Sequence, residues 1–260
     1  MMKRILASDI DGTLLIKGNI KTTTLESISE LKEAGHGLVL CTGRDFSNTK
    51  QVFEKYNIKT DGLVLCNGAF VLDEGFNAYF EQNIPRHVVE KLYRLFNEQE
   101  GFYVAYIDGY NTYMDRWPDG IDEMALRVQK VTPCEMKEKF GNIKLISLVV
   151  MSNAIEEIEA LKNQLNETYG ETIVAYRNQV FIDVVPKGCS KASGIEKVAQ
   201  RLQAEKEQIY VIGDSWNDLS MFEHYPLSFT FNGAEESLKS YVKYTVDSIE
   251  ECITRILEKE

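Results

Sequence analysis

Short apolar runs with almost no polar alternation recur in the first quarter of the chain, and segments with helical periodicity separate them. The runs are Ile5–Ala7, Leu38–Cys41 and Gly62–Cys66. Uninterrupted apolar runs of this length are typical of strands buried inside a parallel sheet. The segments between them, about 23–34 and 45–56, have the spacing of amphipathic helices, and Thr23 with Glu26 predicts a capping box at the start of the first. This alternation predicts an α/β fold with a doubly wound parallel sheet of the Rossmann type.

The pattern changes at about residue 82, where strands that meet at tight turns replace the alternation. A hairpin at Asn67–Gly68 is expected to lead the chain out of the first sheet. The predicted elements of the middle segment are a helix after Pro85, strands Phe102–Ile107 and Tyr110–Met114, a polar helix near Asp119–Gln129, strand Lys144–Met151, helix Ala154–Tyr169, and strands Thr172–Arg177 and Val180–Val185. We therefore predict a core domain of residues 1–81 and 187–260, with an inserted α+β domain of residues 82–186.

Composition narrows the possible functions. The chain has 260 residues, 44% of them hydrophobic, and a formal net charge of −11, which argues against non-specific nucleic-acid binding. No apolar run is long enough to span a membrane, and the first apolar run ends at Asp9, too early for a signal peptide. Five cysteines without CxxC spacing predict reduced thiols in a cytoplasmic protein. We expect a monomer or a weak homodimer.

Two acids follow the first apolar run. Asp9 and Asp11 lie two residues apart, where a strand would place both side chains on one face, and Gly12 lets the chain turn immediately afterwards. Ligands bind at the carboxyl ends of strands in open α/β sheets. Such a pair suits divalent metal binding, or a nucleophile with an acid–base partner. The alternative is a strand end with solvated aspartates.

The stretch from Asp9 to Leu14 resembles the first motif, Asp-x-Asp-Gly-Thr-Leu, of the haloacid dehalogenase superfamily. Candidates for the other three motifs follow in the expected order: Thr42-Gly43-Arg44, Lys187 in Pro186-Lys187-Gly188, and Gly213-Asp214-Ser215-Trp216-Asn217-Asp218. The inserted segment is similar to the type C2B cap of the Cof-like branch. The tail departs from that branch, because Phe231-Asn232-Gly233-Ala234 stands where Met-Gly-Asn-Ala is usual.

This resemblance implies the chemistry of the acids. Asp9 is the expected nucleophile, which forms an aspartyl-phosphate, and Asp11 is the expected general acid and later base. Mg²⁺ would be held by Asp9, the backbone carbonyl of Asp11 and Asp214. Asp218 is expected behind them, holding a metal-bound water or Lys187.

The resemblance also implies the phosphate ligands. Thr42 and the Gly43 N–H would hold phosphoryl oxygens, and Lys187 would supply a positive charge. Asn217 is a further candidate donor, with a turn residue as the alternative. The position of Thr42 also suits a helix N-cap, and the alternative for Lys187 is a solvated loop lysine. Arg44 is either an anion ligand or a partner in a salt bridge.

The resulting prediction is a Mg²⁺-dependent phosphatase of small phosphorylated metabolites, with sugar phosphates as the favoured class. The alternatives are a phosphomutase of the phosphomannomutase type and a non-catalytic metabolite-binding regulator, although a regulator would be expected to have lost an aspartate. A P-type ATPase is disfavoured, because that relative has Thr where Asp11 stands and needs membrane helices. Polar residues near turns of the cap, Arg116, Arg177 and Asn178, are the expected specificity residues.

Overall fold

The computed structural model describes residues 4–97, 102–116, 127–150 and 154–258. The strands are β1 Ile5–Asp9, β2 Gly37–Cys41, β3 Gly62–Leu65, β4 Phe70–Asp73, β5 Ala78–Glu81, β6 Phe102–Ile107, β7 Thr112–Met114, β8 Val128–Lys130, β9 Leu145–Val150, β10 Ile173–Asn178, β11 Phe181–Pro186, β12 Ile209–Ile212, β13 Leu227–Phe231 and β14 Tyr244–Val246. The α-helices are α1 Thr22–Glu33, α2 Phe46–Tyr56, α3 Arg86–Asn97, α4 Pro133–Lys139, α5 Ile155–Tyr169, α6 Lys191–Leu202, α7 Leu219–His224, α8 Glu236–Lys239 and α9 Ile249–Leu257. No described helix is both long and apolar enough to cross a bilayer.

The larger sheet has eight strands in the order β14-β13-β12-β1-β2-β3-β4-β5. Its six strands from β14 to β3 are parallel, and helices cover both faces. Helices α1, α2 and α9 pack on one apolar face, and α6, α7 and α8 pack on the other. Strands buried on both sides must be apolar throughout, and all five residues of β1 are buried. The predicted parallel α/β core is confirmed.

The smaller sheet has the order β10-β11-β9-β6-β7-β8 and is antiparallel except for the pairing of β7 with β8. Its strands lie inside the segment predicted as an insertion, whose limits stay a prediction. Helices α3, α4 and α5 pack on one face of this sheet and form a separate apolar core there. The other face turns towards the larger sheet, since Leu145 and Val185 belong to the larger sheet's core.

Three local predictions need correction. The hairpin at Asn67–Gly68 does not leave the sheet, because β4 pairs antiparallel with β3 and extends it. The polar helix predicted near Asp119–Gln129 falls partly on 117–126, outside the described residues, and its last residues belong to strand β8. Helix α1 has Lys21 as its N-cap, without a side-chain cap. The predicted capping residue Thr23 lies inside the helix. Its hydroxyl donates a hydrogen bond to Glu250 Oε1 at 2.9 Å, and a charged carboxylate is a strong acceptor for such a bond.

The two sheets are joined at the N-terminus of α2. The first amides of a helix have no intrahelical acceptor. Here Phe46 N–H donates to Gly109 O at 2.8 Å and Ser47 N–H donates to Tyr110 O at 3.1 Å. Asp45 caps the same helix by accepting from Asn48 N–H at 2.7 Å. The turn between β6 and β7 therefore satisfies the helix end and holds the smaller sheet against the larger one.

A close backbone approach fixes the start of α6. Gly68 has a φ of +94°, and a Cβ at this position would lie 2.0 Å from Ser190 O. Ser190 is the N-cap of α6, where its side chain accepts from Ser193 N–H. Only glycine allows the turn after β3 to lie this close to the helix, so Gly68 determines where the first residue of α6, Lys191, is placed.

We predict that Gly68→Ala unfolds at a much lower temperature than Gly188→Ala, measured by circular dichroism. Gly188 also has a positive φ, +84°, but a Cβ there meets nothing within 4 Å. The control substitution should therefore cost only the conformational penalty of roughly 1–2 kcal/mol. Gly68→Ala adds a collision with backbone, which cannot move aside as a flexible side chain does. Equal losses in the two variants would contradict the close packing described here.

Candidate active site

Asp9 and Asp11 lie at the carboxyl end of β1 but do not share an environment. Asp9 is the last residue of the strand and is 4% exposed, whereas Asp11 lies beyond the strand with an exposed side chain. Arg44 donates from Nε to Asp11 Oδ2 at 2.7 Å and from Nη2 to Asp11 Oδ1 at 2.5 Å. The structure thus shows Arg44 in a bidentate salt bridge, one of the two alternatives predicted for it.

A buried lysine holds Asp9. Lys191 Nζ donates to Asp9 Oδ1 and to Asp218 Oδ1, both at 2.6 Å, and the lysine side chain has no exposed surface. Burial alone would lower the pKa of Lys191, but the Asp218 and Asp9 carboxylates outweigh it and raise the pKa above the ordinary value. The ammonium is therefore charged at neutral pH, directly beside the expected nucleophile.

Lys187, the lysine predicted from the sequence, is not at this site. Its side chain is 54% exposed, and its Nζ lies 3.5 Å from Glu171 Oε2. The turn at Gly188 separates it from α6, whose first residue faces Asp9 instead. The signal for Lys191 was present in the sequence, because it lies four residues before Ile195 and seven before Val198, on the apolar face of the helix.

The segment after β12 supplies two further carboxylates. Asp218 is fully buried, and its Oδ2 accepts from Asp214 N–H at 2.9 Å and Ser215 N–H at 3.0 Å. Since Lys191 donates to Oδ1, both oxygens of the Asp218 carboxylate accept hydrogen bonds. Asp214 accepts from Thr13 Oγ1 at 3.2 Å, and burial together with the Asp218 charge raises its pKa to about 6. Asp218 therefore orients its neighbours, while Asp214 faces Asp9.

Asp9, Asp214 and Asp218 form a carboxylate cluster, with one oxygen from each within 4.8 Å of the others. Gly12 makes room for it, because a Cβ there would lie 2.3 Å from Asp214 Oδ2. Burial raises the pKa of Asp9 well above its ordinary value; Lys191 opposes that rise and the neighbouring carboxylates add to it. One lysine does not balance three carboxylates, so the cluster suits a hard divalent cation with oxygen ligands at Asp9 and Asp214.

The loop after β2 brings Thr42 and Gly43 to the same end of the sheet. Thr42 is buried, its N–H donates to Val64 O at 2.8 Å, and its Oγ1 accepts from Arg44 N–H at 3.1 Å. The N-cap of α2 is Asp45, so the alternative interpretation of Thr42 as a helix cap is wrong. The phosphate-binding role of Thr42 and Gly43 stays a prediction.

Asn217 contacts Asn67, for which the sequence predicts only a place in a hairpin turn. Asn217 is buried, its Nδ2 donates to Asn67 Oδ1 at 3.5 Å, and its Oδ1 has no partner among the described residues. Asn67 has a left-handed φ of 47° directly after β3, and its N–H donates to Thr42 O at 3.0 Å. The two asparagines therefore connect the loops after β2, β3 and β12.

The predicted cap residues make contacts within the protein. Arg116 Nη2 donates to Phe96 O at 2.6 Å. Arg177 is 5% exposed, pairs with Glu159 and with Glu235, and lies over the Trp216 ring. Asn178 donates to Asp183 Oδ2 at 3.2 Å. Arg177 thus ties the smaller sheet to the segment beside Asn217, and the specificity roles of all three stay predictions.

Relatives of this chain are phosphatases. The 5-amino-6-(5-phospho-D-ribitylamino)uracil phosphatase YitU of Bacillus subtilis is 26% identical over 95% of this chain and 93% of its own length. The HMP-PP phosphatase of Yersinia pseudotuberculosis is 25% identical over 92% of this chain and 87% of its own length. The fold matches that of the HAD subclass IIB sugar phosphatase BT4131, with a TM-score of 0.81, 22% identity, and coverage of 97% and 98%. The family's sequence model, haloacid dehalogenase-like hydrolase, matches residues 6–254, so the chain belongs to that family.

Proposed function

We propose that this chain is a Mg²⁺-dependent phosphatase that hydrolyses phosphate monoesters of small metabolites, with sugar phosphates as the favoured class. The observation that carries the proposal is the buried Asp9 carboxylate held by Lys191 inside a carboxylate cluster. The phosphatase relatives support the same reaction class. A small phosphorylated metabolite would be the partner, and the inserted segment would act as the cap that selects it.

The proposed nucleophile, the Asp9 carboxylate, and the phosphate dianion repel each other, so the site must reduce that repulsion. Hydrolysis of phosphate monoesters is among the slowest uncatalysed reactions, so an enzyme must lower the barrier by roughly 20 kcal/mol or more. In the proposed first step an Asp9 oxygen bonds to phosphorus while the bond from phosphorus to the leaving oxygen breaks. Lys191 fixes the Asp9 carboxylate through Oδ1 and reduces its repulsion of the incoming phosphate dianion.

Asp11 is suited to proton transfer because it lies at the exposed mouth of the site. In the proposal it protonates the leaving oxygen, then accepts a proton from the water that attacks the phosphorus and releases Asp9. Both Asp11 oxygens accept from Arg44 in this structure. Each carboxylate oxygen keeps a second lone pair, so Asp11 can exchange a proton with substrate while it accepts from Arg44.

The cluster would hold Mg²⁺ through Asp9, Asp214 and the backbone carbonyl of Asp11. Bound there, Mg²⁺ supplies positive charge that offsets the carboxylates and the phosphate oxygens. Both Asp218 oxygens accept hydrogen bonds, one from Lys191 and the other from backbone N–H groups. In the proposal Asp218 therefore orients Lys191 and the loop that carries Asp214.

We predict that Asp9→Asn abolishes phosphate release from a panel of phosphorylated metabolites, because an amide oxygen is a far poorer nucleophile. The matched control is Asp247→Asn, which changes an exposed carboxylate outside the site. Turnover by Asp9→Asn within about tenfold of wild type, a loss of roughly 1.4 kcal/mol, would exclude the covalent role. A phosphomutase would instead return an isomeric ester without inorganic phosphate, and a regulator would return the ester unchanged.

The two lysines offer a direct comparison. We expect Lys191→Met to lower kcat by roughly a thousandfold, the scale for loss of one strong transition-state donor, and Lys187→Met to stay within about twofold of wild type. Circular dichroism establishes that each variant is folded, and Lys191→Gln, which removes the charge but keeps a hydrogen-bond donor, replaces Lys191→Met if burial of unpaired carboxylates prevents folding. A comparable loss in Lys187→Met would show that the exposed lysine serves the site.

Metal binding has a readout independent of turnover. Since the pKa of Asp214 is raised from 3.8 to about 6, ionisation of this group makes the metal-free protein less stable as pH rises through that interval. In EDTA at pH 7, Asp214→Asn should therefore melt at a higher temperature than wild type and be more stable by about 3 kcal/mol at most, with the difference vanishing near pH 4. Mg²⁺ should raise the melting temperature of wild type and leave Asp214→Asn unchanged. Full wild-type activity in EDTA would contradict the proposed metal site.

A further inference from the structure

A buried carboxylate of the smaller sheet reaches the candidate active site without a role in the chemistry above. Asp183 lies in β11 and is 2% exposed. Its neighbours Ile182 and Val184 pack into the smaller sheet's own core, so alternation along the strand directs Asp183 to the opposite face. That face meets the loops at the carboxyl ends of β2 and β3. A Cβ on Gly43 would lie 3.2 Å from Asp183 Oδ2.

Among the described residues, three side chains donate hydrogen bonds to Asp183, and one of these three belongs to the larger sheet's side. Ser147 Oγ donates to Oδ1 at 2.7 Å and Asn178 Nδ2 donates to Oδ2 at 3.2 Å, both from strands of the smaller sheet. Asn67 Nδ2 donates to Oδ2 at 3.0 Å from the turn after β3. Any movement of the smaller sheet away from the larger one would break the Asn67 bond and leave the other two intact.

The Asn67 bond fixes the orientation of two amides. A carboxylate can only accept, so Asn67 must turn its NH₂ group towards Asp183. Asn67 Oδ1 then faces Asn217 and accepts from its Nδ2. The hydrogen bond from Asn217 Nδ2 also fixes which way the Asn217 amide is turned. Its buried Oδ1 has no hydrogen-bond partner among the described residues. Reversing Asn67 would place its oxygen against the carboxylate and its NH₂ against the NH₂ of Asn217.

We propose that Asp183 is a positioning residue that orders Asn67 and, through it, Asn217 and the loop of Thr42 and Gly43. The inference rests on the proposed function, since it treats those residues as the ligands of the phosphoryl group. Docking of the smaller sheet then completes the phosphate-binding shell, because it supplies the acceptor that orients Asn67. Asp183 therefore affects binding of the phosphoryl group, which all substrates share, and does not select the leaving group.

The test compares Asp183→Asn with Ser147→Ala, which removes another donor to the same carboxylate but lies within the smaller sheet. Calorimetry measures the affinity for inorganic phosphate with Mg²⁺ present. We expect Asp183→Asn to weaken phosphate binding by about tenfold, the scale of one hydrogen bond to a charged group, and Ser147→Ala to change it by less than about twofold. The kcat/KM values for p-nitrophenyl phosphate and for a sugar phosphate should fall by the same factor in Asp183→Asn.

A double-mutant cycle tests whether Asp183 acts through Asn67. Once Asn67→Ala is present, adding Asp183→Asn should weaken phosphate binding no further. If Asp183→Asn does not fold, Asp183→Ser carries the test, since its short hydroxyl leaves the Asn67 amide without its acceptor, adds no charge, and should weaken phosphate binding by at least as much.

Three results would overturn the proposal: unchanged phosphate affinity in Asp183→Asn, losses that multiply in the cycle, or a loss confined to one ester. The last would make Asp183 a contact of the leaving group. Wild-type protein that binds phosphate with Mg²⁺ but hydrolyses no ester would refute the proposed function, while the calorimetric comparison would still decide the role of Asp183. Wild-type protein that binds no phosphate would overturn both.

Discussion

The site depends on one interaction, the buried ammonium of Lys191 between the carboxylates of Asp9 and Asp218. A buried charge is tolerated only when it is paired and hydrogen-bonded. Lys191 therefore needs both aspartates, and each aspartate needs Lys191. The three residues come from α6, β1 and the segment after β12, so the pairing ties together parts of the chain that are distant in sequence. Gly68 contributes by letting the start of α6 approach the turn after β3.

The two sheets contribute to the site in different ways. The residues proposed for the chemistry lie at the carboxyl ends of parallel strands in the larger sheet, where backbone and buried contacts hold them. The smaller sheet reaches the same place through Asp183 on its inner face, which lies above the asparagine pair, and through Arg177 of its edge strand β10, which lies beside Trp216. Its attachment to the N-terminus of α2 uses backbone carbonyls, which do not depend on side-chain identity.

Much of the core could be predicted because local pattern and tertiary environment agree there. Strands β2 and β3 and helix α2 begin and end within one residue of where the apolar runs and the helical periodicity place them. Asp9, Asp214 and Asp218 converge as residues at the carboxyl ends of parallel strands must. The lysine was misassigned because a Lys-Gly pair after a strand suggests a loop ligand, while the informative feature was a lysine on an apolar helix face. Asn67 and Asp183 were missed because their pairing across the two sheets leaves no local pattern.

The roles of Asp9 and Lys191 can be tested by a crystal structure with Mg²⁺ and beryllium trifluoride, which mimics a phosphoryl group on a carboxylate. We expect beryllium bonded to an Asp9 oxygen, Mg²⁺ against Asp9 and Asp214, and Lys191 Nζ still within hydrogen-bond distance of Asp9. An adduct or metal bound elsewhere, or Lys191 turned away with Lys187 in its place, would contradict these roles.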